Sequence, residues 1–160
     1  MERLTTAVEN VTPLLSEAIL AGGRVKLIIS GVSMYPMLLH RRDSVILESF
    51  DKLRRKDVLL YKTDRGYVLH RIVKIKKGEL YLAGDSQLEI EHPIYQEQGI
   101  AVVTAFYRNG KYVSCRNILY VLYSEIWGCW IGLRPLLFVL FKKLNSLRRK
   151  FKGERKNSSV

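Results

Sequence analysis

A serine in a small-residue turn, a histidine in a strand-like run and a carboxylate in a later turn are the residues of this chain best suited to chemistry. Ser30-Gly31-Val32-Ser33-Met34-Tyr35-Pro36-Met37-Leu38 presents Ser33, and Tyr67-Val68-Leu69-His70-Arg71-Ile72-Val73 presents His70, 37 positions later. Ala83-Gly84-Asp85-Ser86-Gln87 adds Asp85. Serine attacks a carbonyl only when a base takes its proton, and histidine titrates where that transfer works near neutral pH. A carboxylate that orients the imidazole completes such a site, whose members are recognised by geometry rather than by chain order. These residue types predict Ser33 as nucleophile, His70 as general base and Asp85 as the group stabilising the imidazolium. A turn aspartate bonding its own backbone is the other role that Gly-Asp-Ser favours. Glu89 and Glu91 are alternative carboxylates. His40, beside Arg41 and Arg42, reads as a surface residue, and His92, in Glu91-His92-Pro93, as a rival in a supporting role. Arg71 alternates with His70 along the strand, points to the opposite face and reads as structural. The scattered histidines and unpaired cysteines form no metal-ligand spacing, and Gly22-Gly23 is no phosphate loop. Neither metal nor cofactor is expected.

Three of these segments resemble a known family. Ser-Gly-x-Ser-Met-x-Pro-x-Leu is similar to the nucleophile box of the type I signal peptidases and their cytosolic relatives, the LexA-like self-cleaving repressors. Leu69-His70-Arg71-Ile72-Val73 resembles the archaeal, endoplasmic-reticulum and sporulation-type branch, which uses histidine where most bacterial members use lysine. Gly84-Asp85 resembles that branch's Gly-Asp box, and Arg54-Arg55-Lys56-Asp57-Val58-Leu59-Leu60-Tyr61 its strand entry, with Lys56 where glycine is usual. The resemblance covers roughly residues 25 to 107. It implies a coiled all-β core and an oxyanion hole built partly from the backbone N–H of Ser33. Ser30, Gly31 and Met34 then surround the oxyanion and substrate. Gly31 stands where some relatives carry a hydroxyl, and Ser30 is the candidate second donor.

The elements that must position these groups can be read from pattern. Leu4, Val8, Val11, Leu14, Leu15, Ala18 and Ile19 recur at helical spacing, which predicts an amphipathic helix over 2–20, interrupted at Pro13 and ended by Ala21-Gly22-Gly23. Short strand patterns follow over 25–30, 44–48, 57–62, 66–75, 79–83, 100–107 and 111–114, with turns at Lys76-Lys77-Gly78 and Asn109-Gly110. Many short strands with close turns predict a mainly β fold. The expected layout is an N-terminal helix over 1–24, a β-rich peptidase core over 25–117, and an apolar helical segment with a basic tail over 118–160.

The chain has 160 residues, is 48% hydrophobic and carries a net charge of +12. One domain, with or without an appendage, is expected. The charge is uneven: 118–160 holds nine Lys/Arg against two Asp/Glu. Within it, Ile118–Tyr123 and Leu136–Phe141 are apolar, but Glu125, Arg134 and Pro135 interrupt a run that would need about 20 apolar residues to span a bilayer. Tyr120, Tyr123, Trp127 and Trp130 suit a membrane interface, and the basic residues from Lys142 to Lys156 suit anionic headgroups. Helices lying on an anionic membrane surface through 118–156 and a C-terminal helix packed on the β core are the two readings of this segment. The first 20 residues hold three glutamates and no long apolar run, so no secretory signal is expected, unlike the signal peptidases with their N-terminal anchor.

The expected function is therefore a serine endopeptidase that cleaves a leader or precursor protein, located in the cytoplasm or on the cytoplasmic face of the membrane. Its partner is a protein or peptide substrate, and nucleic acid is not expected. Two alternatives stand beside it. One is a LexA-like self-cleaving regulator cut at Ala21-Gly22, although that pair lies only 11 positions before Ser33. The other is an inactive module binding a membrane surface.

Overall fold

The computed structural model describes residues 15–64, 66–129, 131–136 and 139. Residues 2–14 of the helix expected over 2–20, and the basic residues from Lys142 to Lys156, lie outside this set. The chain divides into two compact units, Met1–Cys129 and Trp130–Val160. In the second, the described residues form a short 3-10 turn at Ile131–Leu133 and helical positions at 134–136 and 139.

The first unit is mainly β. Helix α1 is described over 15–20. Eight strands follow: β1 Val25–Ile28, β2 Ser44–Glu48, β3 Val58–Thr63, β4 Gly66–Lys76, β5 Glu79–Ala83, β6 Glu91–Ile94, β7 Gly99–Arg108 and β8 Lys111–Ser114. Helix α2 then spans Ile118–Cys129. The strands form one antiparallel sheet in the order β1-β2-β7-β3-β4-β5-β6, with β8 also paired to β7. Seven strands fall where the alternation predicts them. The eighth, β6, escapes because Glu-His-Pro-Ile has no two-residue alternation and carries a proline, which a strand tolerates at a sheet edge. The Asn109-Gly110 turn closes β7 onto β8 with positive φ at both residues, the backbone twist a two-residue hairpin requires.

Register breaks at Ile46/Leu47, Leu60/Tyr61, Ile72/Lys74 and Leu80/Leu82 bend the sheet, because an extra residue in one strand sharpens its twist. Two cores result, one on each face. Leu15 and Ile19 of α1 pack with Met34, Met37, Leu38, Val45, Val58, Leu60, Val103 and Phe106. Leu59, Tyr61, Ile72, Leu80, Leu82 and Ile94 form the other. Strand alternation assigns neighbours to opposite cores, so Leu60 and Leu59 part company, and so do Arg71 and His70. The helix Ile118–Cys129 belongs to the same compact unit as the sheet and turns Tyr120, Tyr123, Ser124 and Trp127 inward. Among the described residues no helix is long and apolar enough to cross a membrane.

Candidate functional site

The loop from Ile29 to Asp43 carries Ser33 and is folded around two anchors. Asp43 is fully buried. It accepts the N–H groups of Leu39 (2.9 Å) and Asn109 (3.0 Å) and pairs with Arg42. These partners outweigh the cost of burying its charge and hold its pKa below the usual carboxylate range. His40 is the second anchor. It is exposed, as its sequence setting predicts, and its Nδ1 accepts the Gly31 N–H at 2.9 Å. Gly31 adopts φ of +101°, a backbone that other residues rarely reach.

The far side of the loop is seated on the turn after β5. Ser86 N–H donates to the Ser33 carbonyl at 2.8 Å, and its hydroxyl reaches the carbonyls of Val32 and Ser33 at 3.0 Å each. The chain approaches Gly84 so closely that a β-carbon there would stand 2.7 Å from the Ser33 carbonyl oxygen and 3.0 Å from Ser33 Cβ. Ala83 is paired with Arg71. One position beyond this last ladder pair, Gly84 comes level with His70, on the face to which His70 points. Backbone packing thus seats Ser33 on Gly84 and Ser86, directly after the Arg71–Ala83 ladder pair. Ser33 Oγ and His70 make no hydrogen bond with each other.

His70 is buried and lies opposite Leu59 in the β3–β4 ladder. Its Nδ1 is 3.1 Å from Tyr61 Oη and 3.4 Å from Glu91 Oε1. Tyr61 donates its single hydroxyl proton to Glu91 Oε2. The phenol oxygen must therefore accept from His70, which fixes the proton on Nδ1 and leaves a lone pair on Nε2. This is the tautomer a base toward serine requires. Burial drives the His70 pKa below the ordinary histidine value, and the charges of Glu91 and Asp85 oppose that shift in part. Burial and the bond to Glu91 likewise raise the Tyr61 pKa, so the phenol keeps its proton.

Asp85 differs from its expected placement. Its carboxylate does not meet the imidazole; it is clasped by Arg71, with Nε to Oδ1 and Nη2 to Oδ2 both 2.8 Å. Tyr123 Oη donates to Oδ2 at 3.1 Å, and Trp127 Nε1 donates to the Asp85 carbonyl at 2.6 Å. The reason is alternation: Asp85 falls on the Arg71 face of the sheet, away from His70. The pair is wholly buried, and Arg71 also reaches the Lys56 carbonyl, Ser124, Tyr120 and Met37 Sδ. Burial disfavours the guanidinium charge, but Asp85 outweighs it and raises the Arg71 pKa well above its ordinary value. Asp85 thereby fixes the turn that seats Ser33.

The remaining candidates separate cleanly. Glu91, one of the alternative carboxylates, is the one at His70, while Glu89 is exposed. His92 stacks on Tyr81 at 4.8 Å. The Met34 side chain is buried in a core, so it packs rather than lining an open cleft. Ser30 is exposed, and the Gly31 N–H is taken by His40. Among the described residues the backbone N–H groups of Ser33 and Met34 make no hydrogen bond, so both can donate to an oxyanion. Tyr61 is the participant missed from sequence; it lies two residues beyond Leu59, the ladder partner of His70, and so shares its face. Cys115 is a poor rival nucleophile, since burial pushes its thiol up to about 11. No protein-family model matches this chain, and no curated protein matches it.

Proposed function

We propose that this chain is a serine endopeptidase, acting on a leader or precursor protein with Ser33 as nucleophile and His70 as general base. The observation that carries the proposal is the Glu91–Tyr61–His70 relay, which holds the imidazole in the tautomer whose Nε2 lone pair is unused. In the proposed reaction Ser33 Oγ bonds to the scissile carbonyl carbon while its proton passes to Nε2. The N–H groups of Ser33 and Met34 receive the oxyanion. Collapse breaks the C–N bond, and the Nε2 proton leaves with the amine. Water then attacks the seryl ester with His70 again as base, releasing a carboxylate and restoring Ser33. The reading places the enzyme in the cytoplasm, supported by the excess of Lys/Arg in 118–160, the sign that anionic cytoplasmic leaflets attract.

The test is a comparison of protein N-termini in source cells carrying the wild type, Ser33→Ala or His70→Ala. New termini present only with the wild type are expected. Identical termini in all three strains, with the proteins expressed, would sink the proposal.

The relay also predicts a pH effect. Catalysis needs neutral His70, so kcat/KM rises with pH through a pKa below the ordinary histidine value of 6.5. Glu91→Gln removes a charge that favours the imidazolium, so the acid limb moves to lower pH. Loss of the orienting carboxylate should also lower the plateau, on the order of tenfold to a hundredfold. Rates measured across the acid limb decide this; a limb that stays in place in the variant would detach Glu91 from the base.

A further inference from the structure

The face of α2 that turns away from the sheet is apolar. Ile118 is 68% exposed, Leu119 73%, Leu122 52% and Ile126 54%. Their spacing of three and four residues puts them on one stripe of the helix. The opposite stripe, Tyr120, Tyr123, Ser124 and Trp127, is the one that meets the sheet and the Arg71–Asp85 pair. Among the described residues α2 therefore has two apolar faces and one docking partner, the sheet.

Exposed cations flank α2 and precede it. Arg54 and Arg55 are exposed and border, with Asp57, Tyr120, Val121 and Ser124, a groove of about 180 Å³ on one flank of the helix. Arg55 and Lys74 line a second hollow at Gly128. Arg116 is exposed just ahead of Ile118. Glu125, the sole acid in α2, is paired with Lys56. A twelve-residue helix is about 18 Å long. Its single stripe is small beside the roughly 800 Å² per partner of a stable protein interface. An apolar stripe flanked by positive charge matches instead the acyl–headgroup boundary of an anionic bilayer.

We propose that the Ile118–Leu119–Leu122–Ile126 stripe of α2 seats the protein on an anionic membrane surface, with Arg54, Arg55 and Arg116 among the headgroups. This attachment is independent of the catalytic reading, since no stripe residue touches Ser33 or His70.

The experiment is flotation of the full chain with phosphatidylcholine vesicles, with and without phosphatidylglycerol. Binding to the anionic vesicles is expected, falling with added salt. Leu119→Glu/Leu122→Glu should weaken it by about a hundredfold or more, since two leucines are lost from the apolar boundary. Leu119→Gln/Leu122→Gln, without new charge, serves as the second variant and should also bind more weakly while melting as the wild type does. Equal binding to neutral vesicles, or binding that both variants retain, would overturn the proposal. So would a wild type that does not float and forms a dimer which the variants dissolve, since a second copy would then cover the stripe.

Discussion

Ser33→Ala is expected to lower the rate of precursor cleavage by about a thousandfold or more while leaving the unfolding transition where it was. Among the described residues the Ser33 hydroxyl makes no hydrogen bond, so its removal strands no partner there. The loop is held by the Ser33 carbonyl, by Gly31 and by Asp43. Residues that work as a unit in acyl transfer give grossly non-additive losses. His70→Ala should therefore cost about as much as Ser33→Ala, and the double variant little more than either. Single-turnover rates on a precursor found through its new N-terminus would measure this. Losses that multiply in the double variant would mean that the two residues act separately, and the proposed reaction would fail.

The second large effect concerns stability. Among the described residues, Arg71→Met leaves the Asp85 carboxylate buried with only Tyr123 donating to it from a side chain, and Asp85→Leu strands the guanidinium. Each single change should cost about 3–5 kcal/mol, the usual penalty for an uncompensated buried charge. Arg71→Met/Asp85→Leu removes both charges, and apolar replacements of buried ion pairs are often close to neutral. The double variant should thus unfold at a urea concentration nearer the wild type than either single one. A double-mutant cycle isolates the coupling. Costs that simply add would show that the two charges do not depend on each other.

Strand β7 was legible because it hides nearly one residue in two over its middle, whereas β3 and β4 bury four consecutive residues each, covered on both faces, and read as short apolar runs bounded by turn residues. Edge strand β6 was illegible, being four residues with a proline and no pattern of its own. For the site, Ser33 and His70 are separated along the chain but lie on loop and strand positions that sequence identifies. The third partner was harder. Asp85 lies in the turn after β5 and Glu91 opens β6, and the choice between them rests on a face, which depends on register. Arg71 held the missing signal: an arginine inside an apolar strand needs a buried counter-charge, and Asp85, across the hairpin, supplies it. Tyr61 gave no signal of its own beyond its place in the β3–β4 ladder.

The seat of Ser33 spans much of the chain. Ser86 lies 53 residues from Ser33, and Asn109 lies 66 from Asp43, whereas His70 and Tyr61 are nine apart on one hairpin. Base and nucleophile therefore differ in contact order. The imidazole relay is assembled from neighbouring hairpins, while the serine loop is complete only when β7 has turned into β8. A nascent chain that ends before Asn109 carries Ser33 without the N–H that anchors Asp43 beneath it. Closing so long a loop costs little extra free energy, about 0.6 kcal/mol per doubling, but it makes the nucleophile's position a property of the finished sheet rather than of any fragment.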